Sequence, residues 1–161
     1  MLGHSYGSLV VGLTAEHSHL PVNNIVLVGS PGVEASNASQ LGIPASHVWT
    51  GRAPANPVAG SGWFGTAPTD PSFGANQFTV DSTGGGPPMW QHGDYFDDKD
   101  DNVNGTDGGS SLTNIAYIIS GQQNKVTLVH PALPPQPRTN PLPSAPSQIP
   151  STSPRTPDPQ P

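Results

Sequence analysis

The pentapeptide Gly3-His4-Ser5-Tyr6-Gly7 opens the chain and is its most informative local pattern. It fits G-x-S-x-G, in which a serine occupies a sharp turn between a strand and a helix and its hydroxyl is held out over a pocket. The flanking glycines are expected because side chains there would collide with the neighbouring strand and helix. The pattern therefore predicts a nucleophilic serine at Ser5.

The residues after this turn follow the order that such a motif requires. Residues 7–16 predict a short buried helix, and Ile25–Val28 is a continuous apolar run typical of a strand buried on both faces of a parallel sheet. A second strand is predicted over residues 47–50, with a helical turn over 38–41 between the two strands. These elements predict an α/β fold with a parallel sheet and flanking helices.

The middle and the end of the ordered region carry weaker patterns. Residues 53–88 predict a long loop rich in Pro and Gly turn signals. A final helix is predicted to begin at Ser110 or Ser111 and to end before Gly121, and residues 126–129 predict a last extended segment. Five aromatic residues along the loop and at its end favour ordered packing. These are Trp63, Phe64, Phe73, Phe78 and Trp90.

Composition divides the chain into two parts. Gly and Pro supply 19 and 21 of the 161 residues, and only 32% of the residues are hydrophobic. Twelve of the last 31 residues are Pro, and none of the 31 is aromatic. We therefore predict an ordered domain over residues 1–130 and a disordered Pro-rich tail over 131–161, which could serve as a ligand segment for a protein partner.

Charge and residue usage exclude several function classes. The net charge of −6 provides no basic surface for nucleic acid. No apolar run approaches the roughly 20 residues of a spanning helix, and no signal peptide is evident, so the prediction is no membrane contact and a cytoplasmic location by default. The chain has no Cys, and it lacks a second glycine motif for nucleotides. We predict no cofactor and no metal site.

A serine nucleophile needs a base and an acid, and in chains with this motif the order is serine, acid, then histidine. His92 lies in a loop ahead of the last predicted helix and is the best candidate for the base. The other histidines lie too early or next to the tail. The Tyr6 N–H, at the start of the first predicted helix, is the candidate oxyanion donor. The histidines that lie too early in the chain or next to the tail are His17, His19, His47 and His130.

The acid is expected after the second predicted strand, where the chain carries Asn56. An amide cannot stabilise a developing imidazolium as a carboxylate does, so the site is expected to be impaired. Glu34, after the earlier strand, and Asp70 remain alternatives by position.

Five blocks of sequence, in this order, resemble a bacterial α/β-hydrolase family known mainly as a domain of unknown function. The resemblance implies a nucleophile at Ser5, a base at His92 and an acid where Asn56 stands, because such proteins usually have Asp-Pro-Val there. It also implies further strands before the motif, so we expect the C-terminal part of such a domain, with an unpaired edge on the strand Ile25–Val28. The blocks are residues 3–8, 27–33, 47–53, 63–65 together with 68–75, and 111–116.

The predicted function is cleavage of a small-molecule ester or amide by a serine hydrolase that is truncated and impaired. The alternative is a catalytically inactive remnant, or a protein-binding module that uses the Pro-rich tail. A competing pattern lies at residues 97–105, an acidic loop that from Asp100 onward matches the opening of a calcium-binding loop. Its twelfth position is Ser111 where a glutamate is needed, so a solvated acidic loop is the default interpretation.

Overall fold

The structure is a computed structural model that describes residues 1–80, 90–96 and 111–129. The acidic loop at 97–105 and the Pro-rich tail at 131–161 lie outside the described residues, so the predictions made for them stay predictions.

A four-stranded parallel sheet forms the centre of the described part of the chain. Its strands are β1 (Leu2–His4), β2 (Ile25–Val28), β3 (Val48–Gly51) and β4 (Asn76–Phe78), and they lie side by side in that order. Each strand runs parallel to its neighbour. The predicted α/β class with a parallel sheet is therefore confirmed.

Two α-helices flank the sheet and cover opposite faces of β2. Helix α1 (Tyr6–His17) packs on the face that carries Ile25 and Leu27, and helix α2 (Ser111–Ile119) packs on the face that carries Val26 and Val28. All four β2 side chains are buried. A continuous apolar run is what a strand covered on both sides requires, so the interpretation of this run was correct.

Two expectations about the sheet are wrong. The strand Ile25–Val28 has no unpaired edge, because β1 lies on one side of it and β3 on the other. Part of the predicted loop over residues 53–88 is β4, preceded by a 3₁₀ turn at Pro71–Phe73. Asn76–Phe78 buries only its last residue, so it offers too short a hydrophobic pattern for prediction.

The last described segment pairs with β4 and the residue that follows it. Leu128 forms an antiparallel bridge with Phe78, and the Thr79 N–H donates to the Thr127 carbonyl at 2.9 Å. The side chain of Asn114 on α2 donates to the Thr79 carbonyl and accepts from the Thr127 N–H, both at 3.0 Å. The extended segment predicted over 126–129 thus contacts the sheet through one bridge.

Candidate active site

The turn between β1 and α1 holds Ser5 in an unusual backbone conformation. Its φ is 54° and its ψ is −132°, a combination that costs a non-glycine residue about 1–3 kcal/mol. The Ser5 N–H donates to the Val28 carbonyl at 3.0 Å, which fixes the turn to the end of β2. The surrounding sheet therefore imposes the strained turn that G-x-S-x-G predicts.

The two glycines of the motif have different roles. A Cβ on Gly3 would lie 2.7 Å from the Ser8 Cα, so the close approach of β1 to α1 requires glycine there. A Cβ on Gly7 would meet nothing within 4 Å in the described structure. The expectation that both glycines avoid collisions is therefore right for Gly3 and wrong for Gly7.

Two buried serines, Ser8 and Ser30, form hydrogen bonds that hold the turn in place. Ser8 Oγ lies 2.6 Å from both the Ser5 carbonyl and Ser30 Oγ, and the Gly32 N–H donates to Ser30 Oγ at 3.3 Å. One consistent set of donors has Ser30 donating to Ser8, and Ser8 donating to the Ser5 carbonyl. This chain of hydrogen bonds fixes the carbonyl of the strained residue to the segment that follows β2.

The imidazole of His92 lies between Ser5 and Asn56. His92 Nε2 is 2.7 Å from Ser5 Oγ, and His92 Nδ1 is 3.2 Å from Asn56 Oδ1. An amide oxygen can only accept, so Nδ1 carries the proton and Nε2 presents its lone pair to the Ser5 hydroxyl. That tautomer is the one a general base needs.

The orientation of the Asn56 amide follows from its other contacts. Asn56 is fully buried, and its Oδ1 accepts from the backbone N–H groups of Val58 at 2.9 Å and Ala59 at 3.2 Å. Its Nδ2 donates to the Tyr95 hydroxyl at 2.7 Å. Exchanging the amide oxygen and nitrogen would set an NH₂ group against two backbone donors, so the oxygen is held towards His92.

Tyr95 and Gly29 both lie against Asn56. Tyr95 is fully buried, and its hydroxyl also accepts from the Ala53 N–H at 3.1 Å. Gly29 has a φ of +58°, and a Cβ there would lie 2.9 Å from the Tyr95 ring and 3.3 Å from Asn56 Nδ2. Glycine at position 29 therefore satisfies both a left-handed backbone and a close contact with the acid position.

The surroundings of His92 lower the pKa of its imidazole. Partial burial is the main cause, because it disfavours the charged ring, and the nearby His4 adds a smaller electrostatic contribution in the same direction. The lowered pKa favours the neutral ring, which is the form that can accept a proton.

Tyr6 lies at the first position of α1, where a backbone N–H has no acceptor within the helix. This places a backbone donor immediately beyond Ser5, and its contact with an oxyanion stays a prediction. The Tyr6 side chain is 62% exposed, and its ring meets the Phe64 ring edge-on at 5.8 Å between centroids. The first residue of α1 therefore forms an aromatic contact with Phe64.

The alternative acids lie elsewhere. Asp70 caps the 3₁₀ turn at Pro71–Phe73 and accepts from the Ser72 N–H and hydroxyl, and these hydrogen bonds lower the pKa of its carboxyl. Glu34 is exposed and donates its backbone N–H to the Phe64 carbonyl. Neither carboxylate is a partner of His92, whereas Asn56 is.

The other described histidines considered for the base, His17, His19 and His47, are also remote from Ser5. His17 and His19 are exposed at the end of α1 and beyond it. His47 lies immediately before β3 and donates from Nδ1 to the Asn23 carbonyl at 2.8 Å. His130 lies outside the described residues.

Ser5 lies at the carboxyl end of β1, the end of a parallel sheet at which ligands bind in open α/β folds. A cavity of about 580 Å³ opens at the opposite end, beside Leu2, Asn24 and Ile118. It does not include the Ser5 hydroxyl or His92, so it is separate from the candidate site.

Residues that the sequence analysis did not assign complete the site, namely Tyr95, Gly29, Ser8 and Ser30. Ser30 and Gly29 stand in a glycine-rich block after β2, and Tyr95 follows His92 by three positions. No local pattern reveals that Tyr95 reaches an amide 39 residues away.

Two further observations concern the described ranges as a whole. They contain no group of three or more His, Asp or Glu side chains arranged to hold a metal ion. Neither α1 nor α2 is long and apolar enough to cross a membrane.

Comparison with known proteins gives one family match, to the first part of the chain. Residues 1–65, which contain the strand-turn-helix at Ser5 and two further strands of the parallel sheet, match the model of an α/β-hydrolase family. The family resemblance is confirmed over that range, and for residues 66–121 it stays a prediction. No solved structure matches the chain.

The particular relatives are mycobacterial. The chain is 51% identical over 47 residues to uncharacterized proteins of Mycobacterium bovis and of two strains of Mycobacterium tuberculosis. The matched segment amounts to 29% of this chain and only 17% of each relative.

Proposed function

We propose that this chain carries the catalytic residues of a serine hydrolase that cleaves a small-molecule ester or amide. One observation supports this most directly: His92 Nε2 lies 2.7 Å from Ser5 Oγ while its Nδ1 proton is held by Asn56 Oδ1. Nucleophile, base and orienting group thus follow one another at hydrogen-bond distances, in the order that acyl transfer requires.

The proposed reaction begins with attack of Ser5 Oγ on the substrate carbonyl carbon, while His92 Nε2 takes the hydroxyl proton. The carbonyl oxygen becomes an oxyanion that accepts from the Tyr6 N–H. When the tetrahedral intermediate collapses, His92 returns the proton to the leaving alcohol or amine. Water activated by His92 then hydrolyses the acyl group from Ser5.

Asn56 gives this arrangement correct geometry without charge. Its oxygen selects the base tautomer of His92, but a neutral amide stabilises the imidazolium less than a carboxylate would. Replacing the triad aspartate by asparagine costs about 10⁴ in turnover in serine proteases, where the amide selects the wrong tautomer. Because the Asn56 oxygen faces His92, the loss proposed here is smaller.

The test is covalent labelling of the purified chain with a fluorophosphonate probe. We expect labelling that is abolished in Ser5→Ala and retained in Ser120→Ala, a matched control with an exposed serine at the end of α2. His92→Gln should slow labelling strongly without preventing folding. Labelling that persists in Ser5→Ala, or a folded chain that does not label at all, would contradict the proposal.

A further inference from the structure

The loop that carries His92 is attached to the rest of the site by two hydrogen bonds besides those of its imidazole and of the Tyr95 hydroxyl. Gln91 Oε1 accepts from the Ala55 N–H at 2.8 Å. The second is accepted by the backbone carbonyl of His92, which lies 2.7 Å from Nε2 of His4. A carbonyl only accepts, so His4 donates this hydrogen bond.

His4 is firmly held by the sheet. It is the last residue of β1, paired in register with Val28 of β2, and it directly precedes Ser5. Its ring centroid lies 5.0 Å from that of His92 and 5.6 Å from the rings of both Tyr95 and Phe96. The imidazole of His4 is therefore packed among the side chains of the loop, with its N–H directed at the loop backbone.

We propose that His4 is a positioning residue for the base. Through the hydrogen bond from its Nε2 to the His92 carbonyl, His4 ties the His92 loop to the strand end that carries Ser5. This inference rests on the proposed function. His4 stands at the first variable position of G-x-S-x-G, where the nucleophile turn by itself requires no particular side chain.

The arrangement has a mechanical consequence. A base on a long loop can drift from its nucleophile, and a displacement of about 1 Å can cost about 10² in rate. His4 joins the two through a single residue, because its backbone continues into Ser5 while its side chain holds the backbone of His92. Any shift of the end of β1 then moves nucleophile and base together.

The experiment measures the rate of Ser5 labelling by the fluorophosphonate probe in three variants. His4→Phe keeps an aromatic ring but removes the donor, and His4→Gln keeps an N–H donor of similar reach. His47→Phe is the matched control, since it removes a hydrogen bond from a histidine to a backbone carbonyl at the other end of the sheet.

We expect labelling about tenfold slower in His4→Phe, within about threefold of the parent in His4→Gln, and unchanged in His47→Phe. Hydrogen exchange of the amides of residues 90–96 should be faster in His4→Phe alone. Parent-like labelling in His4→Phe, or no rescue in His4→Gln, overturns the inference while the proposed function stands. A folded parent that does not label overturns the proposed function and the inference with it.

Discussion

Replacing Asn56 by Asp should convert the site into a faster hydrolase, because the pocket already suits a carboxylate. Three donors converge on Oδ1: the N–H groups of Val58 and Ala59 and Nδ1 of His92. At the other atom, Tyr95 accepts from the amide at present. Its hydroxyl would rotate and donate to the second carboxylate oxygen.

The size of the gain follows from the charge placed beside His92. An opposite charge within hydrogen-bond distance shifts a pKa by about 1–3 units, and each unit is worth about 1.36 kcal/mol. The same stabilisation acts on the imidazolium in the transition state, so the rates of labelling and turnover should rise about 10- to 1000-fold. The gain stays below about 10⁴ because the amide already selects the correct tautomer.

The assay compares plateau rates of fluorophosphonate labelling and of hydrolysis of a chromogenic ester. Rates are read well above the pKa of His92, since the new carboxylate raises that pKa and moves the pH midpoint upward. Asn23→Asp adds the same charge at an exposed position near the other end of the sheet and should leave the rate unchanged. A folded Asn56→Asp variant no faster than its parent would refute the reasoning.

Four further predictions concern the residues around the site and its pH dependence. Gly3→Ala should lower the free energy of unfolding by about 1–3 kcal/mol, because its Cβ would collide with α1. Gly7→Ala, in open space on a helix, should raise the free energy of unfolding by up to about 1 kcal/mol. Chemical denaturation of the two variants measures both effects. Tyr95→Phe removes the acceptor of the Asn56 amide and should cost about 1–3 kcal/mol of stability and slow labelling; parent-like values for both would contradict this role. Labelling should rise with pH to a plateau with a midpoint below the ordinary histidine value of 6.5, because the His92 pKa is lowered in the folded state. For the same reason the unfolded state binds the proton more tightly, so the free energy of unfolding should fall as the pH drops through 6.5 and level off below the pKa of folded His92.

The sequence was most informative where local pattern and tertiary environment agree. The run Ile25–Val28 is apolar throughout because helices cover both faces of β2, and the pentapeptide around Ser5 encodes a turn that few other residue combinations tolerate. Asn56 and His92 could be named because their positions follow from the order of the strands. Their contact could not be established until the sheet brought residues 36 positions apart together.

Other parts of the site depend on contacts that no local pattern encodes. Ser8 and Ser30 are small polar residues whose burial becomes evident only when α1 packs against the segment after β2. The strand Asn76–Phe78 has a single buried side chain and is defined by its pairing with β3. The role of Gly7 was overestimated because the motif alone does not show which of its glycines faces a neighbour.

The hydrogen-bond partners around residue 56 have an evolutionary consequence. Backbone N–H groups bind the oxygen of either an amide or a carboxylate, and a tyrosine hydroxyl can accept from one and donate to the other. Folding therefore discriminates weakly between Asn56 and an aspartate, while the chemistry discriminates strongly. The two residues differ by one base in their codons, so a lineage can silence or restore such a site in a single mutational step, without rebuilding the pocket that holds it.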